Sequence, residues 1–525
     1  MTLDDIPRRN GLRFPEKVAL VMGERRLTWA ELDCRVNRVA AALVATGLRP
    51  GDRVAILLAN CPEYLELYFG LARAGMIAVP INYRLTAREM AQILGHAEPA
   101  LFITSSTYAQ VSEDALSLIT PLRHRWLIGK ASMANAVDYE AVLSGVRDHP
   151  QPTVGVDADT FAIFFTSGTT GLPKGAMVSH RNLIANGFNQ FVADGSRRQD
   201  INLIGTPIYH MGAVFMGITY MMLGCTQVIL EQFEAASWLA AVESERVSVA
   251  LLVPTMINAV VNHDALESRD LSSLRLLFYG GGPMPPAVLT KALTRLPCGY
   301  TQGYGLTETL EATFLVSDDH VLNGTPLQKQ RLASAGREAI DAEVQIVDDH
   351  GHDVPPGQVG EILVKSRSVI SGYWRQPAET QAAIRDGWFF TGDLGYLDEE
   401  RYLFLVDRKK DMVVSGGVNI YTKEIEAVLF EHPAVLEAAV IGLPDEQWGE
   451  AVTAAVVLRP GMQATEVELI AHCRSHLASY KKPRHVVFVG ELPKNPSGKV
   501  LKRNLRPQLT ASMSINARTE GSRNG

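Results

Sequence analysis

Ten consecutive residues, Thr166-Ser167-Gly168-Thr169-Thr170-Gly171-Leu172-Pro173-Lys174-Gly175, hold four hydroxyl side chains, three glycines and a lysine. An apolar run at 161–165 precedes them and Ala176-Met177-Val178 follows. The pattern predicts a buried strand that empties into a loop rich in backbone N–H and hydroxyl donors, with a lysine as a point charge. Phosphate is the expected guest. The common nucleotide loop, G-x-x-x-x-G-K-[ST], is not met, because the lysine comes too late after Gly168 and Gly175 follows it. Ordinary surface turns use the same residue types, so the rest of the chain must decide.

Six further stretches carry groups suited to the same chemistry. They are Pro207-Ile208-Tyr209-His210-Met211-Gly212, Tyr279-Gly280-Gly281-Gly282-Pro283-Met284, Tyr304-Gly305-Leu306-Thr307-Glu308-Thr309, Thr391-Gly392-Asp393-Leu394, Asp407-Arg408-Lys409-Lys410-Asp411, and Pro493-Lys494-Asn495-Pro496-Ser497-Gly498-Lys499. Singly they are weak: Glu308 could cap a helix, Asp393 is a common turn residue, and Lys499 could be an exposed loop lysine. In this order and approximate spacing, the seven motifs resemble the adenylate-forming superfamily over roughly residues 10 to 507. That superfamily contains acyl-CoA synthetases, luciferases and peptide-synthetase adenylation domains, and the chain looks most like AMP-forming acid:CoA ligases.

The resemblance implies that a carboxylic acid attacks the α-phosphate of ATP, giving an acyl-adenylate and pyrophosphate, and that the acyl group then passes to CoA. Two anions must be held together, so positioning and electrostatics carry the chemistry. It places Thr166, Ser167, Gly168, Thr169, Thr170 and Lys174 on the β- and γ-phosphates, and Gly281, Gly282 and Tyr304 around the adenine. Thr307 would reach the α-phosphate, and Glu308 would hold Mg²⁺, a hard cation suited to oxygen ligands. Asp393 would bind the ribose hydroxyls, assisted by Arg408. Lys499 would bridge the carboxylate and the α-phosphate. His210, Met211, Phe215, Gly280, Gly303 and Leu310 are family positions of the acyl pocket, implying an apolar, roomy site for a fatty, cyclic or aryl acid. Lys410 aligns with the family's hinge, about which the C-terminal domain rotates to admit CoA beside Gly416 and Gly417. One departure stands out. Many relatives read G-G-E-N-I-x-P at the CoA channel, whereas Val418 and Thr422 replace the Glu and Pro here. That leaves two other acceptors open, an amine (an amide ligase) or a carrier-protein thiol; a non-catalytic adenylate-binding protein is the alternative of another class.

The elements that must position these groups are legible in part. Thr28-x-x-Glu31 and Thr86-x-x-Glu89 are capping boxes, each followed by helical periodicity. Strand-like runs at 54–58, 77–80 and 100–103 alternate with helices, which predicts a parallel sheet covered by helices. Alternation resumes at 203–304, with strands expected at 249–253 and 276–279. The uncharged stretch 201–230 imitates a membrane span, but Gly205, Pro207, His210, Gly212, Gly217 and Gly224 interrupt it. It is expected to form a buried loop, a helix and a strand. After about residue 330, short β-rich runs at 343–347 and 361–364 suggest a small barrel-like subdomain. The expected fold is α/β: a large N-terminal domain (1–406) of two βα-layered sheets plus that subdomain, a hinge (407–411), a small mobile α+β C-terminal domain (412–510) and a disordered tail (511–525). The hinge run of five charges is expected to be solvated, with few side chains buried.

Composition sets the outer bounds. A chain of 525 residues with 46% hydrophobic and 20% charged content fits a globular protein with an ample core. A net charge of −7 argues against general nucleic-acid binding. The five scattered cysteines contain no C-x-x-C, which fits reduced thiols in the cytoplasm. No secretory leader or membrane span is expected, since Asp4 and Asp5 precede Arg8 and Arg9 without an apolar run. Partners are expected to be small molecules, with a homodimer left open.

Overall fold

The computed structural model describes residues 1–130, 132–147, 152–166, 173–415, 418–445, 447–494 and 500–510. Local chemistry explains many of its elements. Thr28 and Thr86 each accept from the backbone three residues on while Glu31 and Glu89 reach back, so both capping boxes form, opening helices Trp29–Ala45 and Ala87–Ala97. Pro62 opens helix Pro62–Arg73, where its missing N–H costs nothing.

A seven-stranded sheet runs in the order Val137–Asp138, His124–Ile128, Leu101–Ser105, Arg53–Leu57, Ile77–Pro80, Thr160–Thr166 (β1) and Lys174–Ser179 (β2). All its pairings are parallel except the last, in which β1 and β2 are antiparallel and Thr166 faces Lys174. The 166–175 stretch is therefore not one loop. Thr166 closes one strand, and Lys174 and Gly175 open the next, because Gly175, Ala176 and Met177 find ladder partners in Phe165, Phe164 and Ile163. Helix His180–Asp194 (α1) follows, capped by Ser179.

A nine-stranded sheet holds Leu276–Gly280 (β3), Gly299–Leu306 (β4) and Leu310–Leu315 (β5) side by side. The uncharged stretch corrects one expectation. It begins with strand Ile201–Ile204, not a loop, before helix Met211–Met222 (α2) and strand Thr226–Ile229. Leu203 pairs with Val228 on one side and Ala250 on the other, while the buried Asn202 amide donates to Gln227 at 2.8 Å. That side-chain bond makes a polar residue tolerable in a central strand. Between β4 and β5 the register slips: Tyr304 faces Thr313, but Gly305 faces Glu311. Ala312 is thus an extra residue, a bulge that turns Glu311 to the face shared by Gly303 and Phe314.

Strands Ala342–Val347, Gly360–Ser366, Ile384–Arg385, Trp388–Leu397 and Leu403–Arg408 (β6) form a five-stranded sheet, as the β-rich texture after residue 330 suggested. The chain divides into two compact units, one of residues 1–345, 363–390 and 401–403, the other of 346–362, 391–400 and 404–525. The second unit contains a further sheet, ordered Val418–Ile420, Val413–Ser415, Gly449–Leu458, Val435–Asp445, with His485–Phe488 on Gly449–Leu458. Its core joins Val413, Val440 and Ala454 to Ile425 and Leu429 of helix Thr422–Glu431 (α3).

The charged run 407–411 differs from its expectation. Asp407 and Arg408 end β6, and Asp407 is only 2% exposed. Its carboxylate accepts from the Thr422 backbone N–H and, at 2.8 Å, from the Thr422 hydroxyl. A charge run marks solvent only where no donor is at hand, and here the first turn of α3 supplies two.

Candidate active site

The hairpin of β4 and β5 presents the first group of candidates. Its turn is closed by Thr309, whose hydroxyl accepts from the Leu306 N–H at 2.9 Å, leaving Thr307 and Glu308 half-buried at the tip. Glu308 Oε1 accepts from the Tyr373 hydroxyl at 3.1 Å and, more weakly, from Thr166 Oγ1 at 3.4 Å. The Glu308 carbonyl accepts from Ile370 N at 2.9 Å. Three segments far apart in sequence therefore converge on one carboxylate.

Tyr373 was not singled out from sequence, where Ser371-Gly372-Tyr373 reads as a turn. It is set by backbone bonds along β2: Met177 N donates to Gly372 O at 2.9 Å and Trp374 N to Gly175 O at 2.7 Å. Burial first, and then the Glu308 charge, push the Tyr373 hydroxyl well above the usual tyrosine range, so it stays a donor. The Lys174 ammonium lies 5.1 Å from the Tyr373 ring centroid and forms an ion pair with Glu379. Glu379 was also missed; nothing in its own sequence context marks it. Ser167, Gly168, Thr169 and Thr170, between β1 and β2, lie outside the described residues.

The donor set at Glu308 is a carboxylate with neighbouring hydroxyls, which suits a hard divalent cation such as Mg²⁺ completed by phosphate oxygens. Among the described residues no cluster of three or more His, Cys, Asp and Glu side chains could hold a metal by itself.

The candidate adenine and acyl positions lie along β3 and β4. Gly281 has φ +76°, a conformation glycine adopts without strain, and a side chain at Gly282 would meet open space. Gly280 and Gly303 are partners in the ladder, and a Cβ on Gly280 would stand 2.7 Å from the Gly303 carbonyl oxygen. Tyr304 is buried. Beside them Phe215 meets Phe278 edge-on, with centroids 5.7 Å apart. Met211 and Leu310 are buried, the latter at φ +50°, a left-handed value that a non-glycine residue holds only when its surroundings impose it. His210 precedes α2; burial, and then the charge of Arg84, lower its pKa to about 4, so the ring is neutral.

In the second unit, Asp393 and Arg408 are brought together. The Asp393 carboxylate, 7% exposed, meets Arg408 Nε at 2.9 Å, and Lys409 N donates to Gly392 O at 2.9 Å. Lys410 follows β6 in a turn closed by Asp411 N and Met412 N on the Arg408 carbonyl. Gly416, Gly417, Lys499 and the tail 511–525 lie outside the described residues. No helix among those described is long and apolar enough to cross a membrane.

Residues 7–374 match the AMP-binding enzyme family, and residues 424–499 match the AMP-binding enzyme C-terminal domain. A feruloyl-CoA synthase of Amycolatopsis is 38% identical over 95% of this chain and 97% of its own length. The long-chain-fatty-acid–CoA ligase FadD13 of Mycobacterium tuberculosis is 36% identical over 93% of this chain and 94% of its own. Among solved structures, the amide bond synthetase McbA of Marinactinospora thermotolerans superposes with a TM-score of 0.87 at 30% identity, covering 97% of this chain and all of that one.

Proposed function

The chain belongs to the AMP-binding enzyme family, and from that premise we propose how its residues divide the work of an AMP-forming acid:CoA ligase. The reaction has two halves. An oxygen of the acid's carboxylate attacks the α-phosphorus of ATP and the bond to the β-phosphate breaks, releasing pyrophosphate. The thiol of CoA then attacks the acyl carbonyl, losing its proton, and AMP departs.

The observation that carries the assignment of roles is the convergence of Thr166, Tyr373 and Glu308 beside Lys174. Glu308, oriented by the Tyr373 hydroxyl, would hold Mg²⁺, which supplies charge neutralisation at the phosphates. Lys174, now balanced by Glu379, would exchange that carboxylate for the β- and γ-phosphates together with residues 166–170. Thr307 would meet the α-phosphate, Gly281, Gly282 and Tyr304 the adenine, and Asp393 with Arg408 the ribose. Lys499 would serve the first half-reaction from a C-terminal domain that turns about Lys410, and Gly416 and Gly417 would then border the CoA thiol's path. Domain limits of 1–406, 407–411 and 412–510 belong to this reading. So does a cytoplasmic location, which the five free cysteines fit.

We take the acid to have a largely apolar fatty, cyclic or aryl body, a class that includes the acids named for the relatives. A second acceptor is favoured by two observations: the likeness to an amide bond synthetase, and Thr422, bound to Asp407 at a position where many members of the resembled superfamily carry proline. The test is pyrophosphate release against a panel of acids, followed by mass spectrometry with CoA or an amine added. A thioester supports the ligase reading, and an amide formed in preference supports the second.

A further inference from the structure

The face of β4 and β5 that carries Gly303 is not wholly apolar. The Ala312 bulge turns Glu311 onto it, and the carboxyl occupies the space a Gly303 side chain would take: a Cβ there would collide with Glu311 Oε2 and would stand 2.5 Å from Phe278 Cζ. Glu311 is 9% exposed, and its Oε2 has no hydrogen-bond partner among the described residues. Its backbone N–H donates to Asn186 Oδ1 on α1 at 3.0 Å, while the Asn186 amide nitrogen is itself buried without a partner among the described residues. Buried polar atoms are nearly always paired, so two unpaired ones on residues joined by this bond call for a polar occupant.

We propose that Glu311 is a specificity-determining residue of the acyl pocket, where it hydrogen-bonds a hydroxyl group carried on the far part of the acid substrate. The substrate class is a hydroxylated aryl or alkyl carboxylic acid. This rests on the acid:CoA ligase reading and on the placement of the pocket at Gly280, Gly303, Phe215 and Leu310. The chemistry favours a neutral group over a cation. Among the described residues Glu311 has no charge partner, and burial pushes its carboxyl up to about 8. A protonated carboxyl offers one O–H and a carbonyl oxygen, which match a hydroxyl's acceptor and donor. Asn186 supplies a second donor beside it. Gly303 is what makes room, since any side chain at that position would displace the carboxyl.

The test uses the whole enzyme and matched acids: cinnamate against its ring-hydroxylated forms, and decanoate against 10-hydroxydecanoate. kcat/KM for pyrophosphate release is measured for the parent, Glu311→Gln and Glu311→Leu, with thermal melting as a check on folding. The parent should prefer the hydroxylated member of at least one pair by about ten- to a hundredfold. E311Q, which keeps a donor and an acceptor, should retain part of that preference, and E311L should abolish or invert it. An unchanged ratio in a normally melting E311L, or a parent without preference, overturns the proposal. With 10-aminodecanoate added to the panel, a preference for it over decanoate overturns the proposal in favour of an ionised Glu311. Pyrophosphate release with none of the acids would instead strike the ligase reading beneath it.

Discussion

Replacing Glu311 by glutamine should change how stability depends on pH, whatever the substrate. The carboxyl is buried with one oxygen unpaired, and burial raises its pKa to about 8; in the unfolded chain it returns to about 4.3. Between those values the folded state keeps a proton that the unfolded state has released. Stability is therefore fully present below the unfolded value and falls as pH rises towards the folded one. From pH 6 to pH 8 the loss from this group comes to roughly 2 kcal/mol. At about 2–4 °C per kcal/mol for domains of 150–250 residues, Tm should fall by a few degrees over that interval beyond the background slope. Glutamine keeps the size and never ionises, so E311Q should melt with a flatter profile, gaining on the parent as pH rises. The assay is melting of both proteins in matched buffers from pH 5.5 to 8.5. Parallel profiles would refute the reasoning, because they would mean that Glu311 is ionised throughout or reaches solvent.

Lys499→Ala should abolish acyl-adenylate formation yet leave thioester formation from supplied acyl-adenylate largely intact; equal loss of both half-reactions would assign that lysine a structural part. Tyr373→Phe removes a hydrogen bond to a charged group, and kcat/KM for ATP should fall by roughly tenfold or more, with unchanged melting; an unaltered kcat/KM would show that Glu308 needs no such donor. Thr422→Pro suits the first turn of α3 sterically but deletes the two Thr422 donors to the buried Asp407 and, among the described residues, leaves it only the Arg408 N–H, so unfolding of the second unit should be easier by roughly 3 kcal/mol. Thr422→Val, which keeps the N–H, should lose less; an order reversed in chemical denaturation would show that Asp407 finds other partners.

Much of the layout was legible because it rests on local chemistry. Capping boxes at Thr28 and Thr86 and the apolar strand before Thr166 each state their role within a few residues. What stayed hidden depends on register and distance. Tyr373 meets Glu308 only because residues 372–374 lie along β2, some two hundred positions from where that strand begins. Glu311 reads as the one charged residue in an otherwise mostly apolar strand, and only the bulge at Ala312 decides which face it occupies. Asp407 lay inside a charged run whose composition speaks for solvent, and its burial follows from two donors on Thr422. In the sequence Lys174 reads as part of a loop, since a strand start and a loop end look alike when glycine and proline flank them.

The chain joins a carboxylic acid to AMP before handing on the acyl group, an order that a single-turnover experiment resolves. Enzyme in excess over ATP is mixed with magnesium and an acid, quenched, and analysed for pyrophosphate and for the acyl-adenylate mass, first without CoA and then with it. The prediction is acid-dependent pyrophosphate in step with acyl-adenylate, which disappears on adding CoA as acyl-CoA and AMP form in equal amount. Release of ADP and inorganic phosphate, or pyrophosphate formed independently of any acid, would contradict it.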